Sequence, residues 1–495
     1  MDVTHEAGTA LQAELRALRS RTVDRTDRET VVARRVVYAA TAGYALLFVS
    51  AAVVHFESFH AAFTDLGGMA QAVWSTAHGH FLESTTMPGR QLTRLAGHVD
   101  PLLALFVPLW LIWSTPLLLS IVQVLAVAAG ALPVYWLARK HLRSERAAVH
   151  FALAYLLFPA TQFNAFTPTS GFHPVSLAVP LILYAIWFLD EDRLVLFAIF
   201  ALLAASTKEE IPLAVGCLGI WYAARTGKRL FGASVFAVGI ALTLVDFLVI
   251  IPHFSPSGID PFAARYSDVG TTPQGILHKA VTDPIAFVHA VATGHKLLYV
   301  VLLLGPFLGL WLRAPLLFLG AVPDLMINLL SSKTGQTEIV YHWTAGIVPF
   351  TLAASILGAA RLKRDPDAVS LCALVGAALI AVISPITLVL VRGDVRAALP
   401  SNPTRIAKAH ALAMIPPTAR VAASNQLATY VASRRYIYLF PFASKKADWL
   451  LVDRNDNTYS DTRGYSRALR ELDRSASWRL VYSSHGVEVL RHLGR

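Results

Sequence analysis

Apolar residues in this chain come in long blocks almost free of charge. Leu102–Trp113, Pro116–Leu137, Leu230–Ile251, Leu297–Leu312 and Ala368–Val391 are the clearest. A run approaching about twenty apolar residues is what a helix needs to cross the hydrocarbon core of a bilayer. The pattern predicts a first span over Val36–Val54. Further spans follow near 116–138, 147–163, 174–189, 194–207, 211–224, 230–251, 297–312, 315–330, 345–360 and 368–391, eleven in all. Several are short and marked by proline (Pro159, Pro180, Pro212, Pro252). Pro101–Trp113, at thirteen residues, is too short to span and reads as an interfacial or re-entrant helix within an outer segment, 55–115.

Residues 1–35 hold seven arginines and no long apolar run, so they read as a basic cytoplasmic tail, helical from about Leu11 to Leu18. They contain no short apolar core with a small-residue cleavage site, as a signal peptide would. After Pro400 the pattern changes to short β-rich runs between periodic helices. Helices are predicted at Thr404–Ile415, Gln426–Ser433 and Thr462–Arg474, with strands at Arg420–Ala423, Tyr436–Phe440 and Asp448–Val452. Trp478–Ser483 and Val487–Arg491 form a hairpin turning at Gly486. The expectation is a mainly α polytopic membrane protein in three parts: tail 1–35, transmembrane domain 36–391 and a small extracytoplasmic α/β domain 392–495.

Composition agrees. Hydrophobic residues make up 55% and charged residues 15%, against about 25% charged in a soluble domain. Cys217 and Cys372 each lie inside an apolar block, which excludes a disulfide or CxxC framework. The net charge of +11 follows loop position rather than a nucleic-acid surface. With the eleven spans, nineteen Lys and Arg before residue 392 fall on one side, at 16–35, 139–146, Arg193, 225–229, Arg313 and 361–364. Seven fall on the other: Arg90, Arg94, Lys208, Arg265, Lys279, Lys296 and Lys333. The positive-inside rule then puts the N-terminus in the cytoplasm and the C-terminal domain outside. An Ala- and Arg-rich composition suggests a GC-rich bacterium, and the expected location is its cytoplasmic membrane.

The unusual polar residues fall on the outer side. Asp65 stands just after the first span, either as the N-cap of a short helix ending near Gly79 or as a carboxylate at the lip of a cavity. Asp100 before Pro101 has the same two readings, cap or ligand. Lys208-Glu209-Glu210 interrupts a strongly apolar stretch, where ionisable groups mark a functional site or a paired interior cluster. Arg265 is a candidate for gripping phosphate. His98, His173, His253 and His342 all fall on this face. No Gly-rich phosphate loop or nucleophile motif is present.

The order of parts resembles the GT-C membrane glycosyltransferases. It consists of a span, a surface loop with an early acid, an interfacial helix opened by an acid–Pro step, and a long second span ending in a basic loop. Phe63–Trp74, Lys208-Glu209-Glu210, His253-Phe254-Ser255-Pro256, Ile415-Pro416-Pro417 and Tyr436–Pro441 are similar to an uncharacterised bacterial family of predicted membrane proteins. The resemblance implies a GT-C-like fold and sugar transfer from a polyprenyl-phosphate carrier to an envelope glycan, lipid or protein. Asp65 takes the position of the catalytic or metal-binding acid, and a divalent cation (Mg or Mn) at Asp65 or Asp100 belongs to the same expectation. The second acid often found in the next outer loop is missing between Phe163 and Pro174, and His173 stands near its place. Lys208 or Arg265 would hold the phosphate, His98 or His173 would assist Asp65, and Trp74 would stack on a sugar. The rival readings are a transporter or flippase of an anionic or lipid-linked solute, and a non-catalytic envelope-assembly subunit.

Overall fold

The computed structural model describes residues 3–167, 171–383, 392–459 and 461–494, with the backbone alone for 3–27 and 273. Apolar runs become helices because a bilayer offers no partner for backbone polar groups, and a helix satisfies them within one segment. Among the described residues, five helices are long and apolar enough to cross a membrane: Arg28–Glu57, Leu117–Leu142, Arg229–Phe254, His342–Ala360 and Pro366–Ile383. Pro284–Val291 and Gly294–Phe307 form a pair bent by 53° that makes a sixth. Pro101–Ile112, Pro174–Asp190, Leu194–Ala205 and Pro315–Leu330 are apolar but shorter. The eleven expected spans fall on helical segments, but 297–312 is interrupted by left-handed Leu308 and Gly309, and the last is helical over Pro366–Ile383, its remainder lying outside the described residues.

Proline accounts for several interruptions. Phe158, pushed into an extended conformation ahead of Pro159, separates Glu145–Leu157 from Pro159–Ala165. A π-helical turn, Asp246–Ile250, precedes Pro252. The basic tail differs from expectation: it runs into the first span as one helix, Val3–Glu57, which no proline breaks. Helices Ile211–Thr226 and Arg229–Val245 pack closely through Gly216, Gly219, Gly232 and Gly239. A Cβ on Gly219 would stand 2.3 Å from the Gly232 carbonyl oxygen. The 252–296 loop contains two helices not expected from the sequence, Pro273–Thr282 and Pro284–Val291, capped by Thr272 and Asp283.

The bundle has two distinct ends. The helix Pro174–Asp190 begins beside His173 and ends at Asp190, whose buried carboxylate takes Lys140 at 2.7 Å, His141 at 3.0 Å and Arg225. Ile211–Thr226 likewise runs from Lys208–Glu210 to Arg225. The basic loops gather at one end, and most of the candidate residues at the other.

The C-terminal strands form a five-stranded sheet, apart from a separate ribbon of β1 (Glu83–Thr85) and β2 (Gln91–Thr93). β3 (Val421–Ala423) pairs in parallel with β4 (Ile437–Leu439) and β5 (Trp449–Asp453). β7 (Val487–His492) runs antiparallel to β5 and to β6 (Trp478–Ser484). Gly486, at φ +79°, makes the expected turn. The expected helix Gln426–Ser433 instead divides into a turn of α-helix, Asn425–Ala428, and a 3-10 turn, Thr429–Val431.

Alternation in the strands decides what the sheet packs on. Ala422, Tyr438, Leu450, Val452 and Leu490 meet Tyr465, Leu469 and Leu472 of the helix Thr462–Asp473. Val421, Ala423, Ile437, Leu439 and Leu451 instead share a core with Phe63, Leu66, Val73, Leu103 and Trp110 of the first outer segment. Sheet and outer segment form one packed unit over the end of the bundle.

Candidate active site

Asp65 lies inside a π-helical turn, Phe63–Gly67, so it does not cap the helix that follows. That helix, Gly68–Ala77, is entered from Gly67 with no side-chain cap. The turn is held from the C-terminal unit. Asn425 Oδ1 accepts the backbone N–H groups of Phe63 (3.0 Å) and Thr64 (3.1 Å), and Thr429 Oγ1 donates to the Ala61 carbonyl at 2.8 Å. With its backbone so fixed, the Asp65 carboxylate reaches a cavity of about 800 Å³, 29% exposed.

Across the cavity, His173 Nε2 stands 3.4 Å from Asp65 Oδ1. The His173 ring stacks on His342 with centroids 3.5 Å apart. Its backbone N–H donates to Gln123 Oε1 at 2.8 Å. Burial pushes the Asp65 carboxyl up to about 7, although Lys333 and Arg94 favour its ionised form. Burial lowers His173 to about 3, with Arg94 and His98 adding to the effect. His173 is therefore neutral at ordinary pH, and its contact with Asp65 joins an imidazole to a carboxyl group rather than forming an ion pair.

The remaining charges divide into paired and unpaired. Asp100, expected as a cap, makes no side-chain cap; Arg94 Nε reaches both its oxygens, at 3.2 and 2.9 Å, and Nη2 reaches Oδ2 at 2.5 Å. Glu209 sits behind the cavity wall, where Oε1 meets His98 Nδ1 and Oε2 accepts the Val99 N–H, both at 3.0 Å. Burial opposes ionisation of Glu209, but His98 and Lys208 outweigh it and hold the carboxyl down to about 2. Lys208 pairs with Glu210. Burial opposes the Lys208 charge, but Glu210 and Glu209 keep its pKa above the usual range. Arg265 and Lys333 have no carboxylate partner among the described residues. The Arg265 guanidinium lies 3.9 Å over the Phe262 ring, and Lys333 Nζ lies 4.8 Å over Trp343.

The cavity thus brings together Asp65, His98, Asp100, His173, Lys208, Arg265 and His342, with Glu209 and Glu210 buried alongside. Two candidates lie outside it: Trp74 stacks on His78 at 4.1 Å, and exposed His253 makes a T-shaped contact with Phe254. Arg94, Lys333 and Trp343 also line it. Arg94 and Lys333 were legible only as outer-loop charges, and nothing in the sequence marked Asn425. No group of three His, Cys, Asp or Glu is placed to hold a metal ion among the described residues, Arg94 takes the Asp100 carboxylate, and the charges acting on Asp65 are those of Lys333 and Arg94, a donor set that does not suit a divalent cation.

The sequence over residues 55–489 matches the family described as predicted membrane proteins, DUF2079. The chain belongs to that family. No curated protein matches it. Among solved structures, ArnT from Cupriavidus metallidurans bound to undecaprenyl phosphate superposes with a TM-score of 0.51 at 13% identity, covering 91% of this chain and 98% of ArnT. The apo ArnT structure covers the same shares at 12% identity and a TM-score of 0.47. The fold of this DUF2079 member is GT-C-like, and it is a membrane protein.

Proposed function

We propose that the protein is a membrane glycosyltransferase that moves a sugar from a polyprenyl-phosphate carrier to an acceptor in the cell envelope of a bacterium. It would work in the inner membrane, with the cavity on the extracytoplasmic side. One observation carries this reading. Asp65, half-buried and 3.4 Å from the neutral imidazole of His173, shares a cavity with Arg265 and Lys333, which make no ion pair with a carboxylate among the described residues. That is what the chemistry needs: a base for the acceptor hydroxyl and positive charge for a departing phosphate.

In the proposed step, the acceptor oxygen attacks the anomeric carbon and its proton passes to Asp65. The bond from that carbon to the phosphate oxygen breaks, and the polyprenyl phosphate leaves with the electron pair. Arg265 and Lys333 hold the departing phosphate. Lys208 adds field from behind its pair with Glu210, and His173 orients the Asp65 carboxyl. The undecaprenyl phosphate in the ArnT complex of the same fold supports a lipid-linked donor. The acceptor is an envelope glycan, lipid or protein, and the charge distribution of the loops supports the orientation.

The test uses purified protein in detergent with a radiolabelled polyprenyl-phosphate sugar and a panel of acceptors. Release of polyprenyl phosphate that depends on acceptor and on Asp65 supports the reading. Movement of intact lipid-sugar across a vesicle membrane without cleavage would replace it with the flippase.

A further inference from the structure

Residues 392–495 hold seventeen Lys and Arg against eight Asp and Glu, a net +9, so most of the chain's excess charge lies in the C-terminal unit. Part of it is ordered into a stripe. Arg463, Arg467, Arg470 and Arg474 follow at intervals of four, three and four along the helix Thr462–Asp473 and its C-cap. All four are exposed, and none makes an ion pair among the described residues. The neighbouring acid Asp473 is taken by Arg454. Arg463, Arg467 and Arg470, with Thr462 and Ser466, line a groove of about 340 Å³.

A merely solvated helix face favours opposite charges at these spacings, because like charges three and four residues apart destabilise a helix. Apart from Asp473, the one acid on this helix is Glu471, four residues after Arg467 and three before Arg474, and four arginines in register against it leave a positive excess for an anionic partner. We propose that this face binds an anionic envelope glycopolymer through its repeating phosphodiester groups. Guanidinium forks match phosphate oxygens two by two, and eleven residues of helix extend the stripe over about 16 Å. The face does not suit a membrane surface. Helices that bind in the interface direct apolar residues toward lipid, whereas Tyr465, Leu469 and Leu472 are already buried against the sheet.

The proposal stands apart from sugar transfer, because its readout is binding alone. The full chain in phosphatidylcholine nanodiscs is titrated with fluorescent poly(glycerol phosphate) over a series of salt concentrations. Neutral dextran and phosphatidylglycerol vesicles run in parallel. The polymer is expected to bind saturably and dextran not at all. Combining Arg463→Gln, Arg467→Gln and Arg470→Gln should weaken binding roughly tenfold or more and make log affinity against log salt shallower by about two to three, at an unchanged melting temperature. Arg143→Gln, Arg146→Gln and Arg229→Gln together, at the other end of the bundle, should leave it intact. Equal affinity in the first triple variant, or binding to the vesicles but not to the polymer, overturns the proposal.

Discussion

At the residue scale, the site depends on one carboxyl group held near neutrality. Taking the Asp65 proton acceptor away in Asp65→Asn, which keeps size and hydrogen bonding, should cost at least about 100-fold in transfer rate while the melting temperature holds. The pH dependence has a definite sign. An acid raised to about 7 is in its base form only above that pH. kcat/KM should therefore fall as pH drops through about 7 and level off above it. Lys333 favours the ionised form of Asp65, so Lys333→Met should move this limb to higher pH and raise the donor KM. A pH–rate profile checks both, and a limb that stays in place after Lys333→Met would remove Lys333 from the electrostatics of Asp65. Asp65 and His173 were legible as candidates because polar groups at membrane depth are costly. Their relation was not legible, since they are 108 positions apart in the chain and meet only through packing.

At the element scale, the turn bearing Asp65 is shaped by a residue 360 positions later, Asn425. Asn425→Ala leaves two backbone N–H groups without their acceptor, each worth about 1–3 kcal/mol if left unsatisfied. Hydrogen exchange over 61–68 should quicken and kcat should fall, with the donor KM little changed. Unchanged exchange in that variant would show that the turn holds itself. Elsewhere the helix pair 211–226 and 229–245 depends on small residues. Gly219→Val would drive a branched side chain against the Gly232 carbonyl, expected to cost about 1–3 kcal/mol or more and to lower the melting temperature in detergent. The five strands of the C-terminal sheet and its long helix were legible to within a residue or two because alternation and periodicity are local, whereas the ribbon of Glu83–Thr85 and Gln91–Thr93 was missed. The helices at 273–291 were missed although Thr272-Pro273 and Asp283-Pro284 are ordinary N-cap and first-turn pairs.

At the scale of the whole molecule, the sheet and the first outer segment share a core, so the C-terminal unit forms part of the scaffold that holds Asp65. Sidedness belongs to this scale too. In a background lacking Cys217 and Cys372, a cysteine at Lys279 should react with an impermeant maleimide on intact cells. One at Arg143 should react only after permeabilisation, and the reverse pattern would invert the proposed orientation.

The sequence by itself determined that the chain is embedded in a membrane, which loops share an end of the bundle, and that its C-terminal part carries short strands between helices. Those properties add up residue by residue, from transfer free energy and loop charge. Only the tertiary structure decided which charges are spent on one another. Arg94 takes Asp100, His98 takes Glu209, and Lys208 takes Glu210, which leaves Asp65 in one cavity with Arg265, Lys333 and Glu338. Hydrogen bonds and ion pairs act over a few ångströms, and apart from the local Arg94–Asp100 and Lys208–Glu210 pairs only the fold brings residues so far apart in the chain within that range.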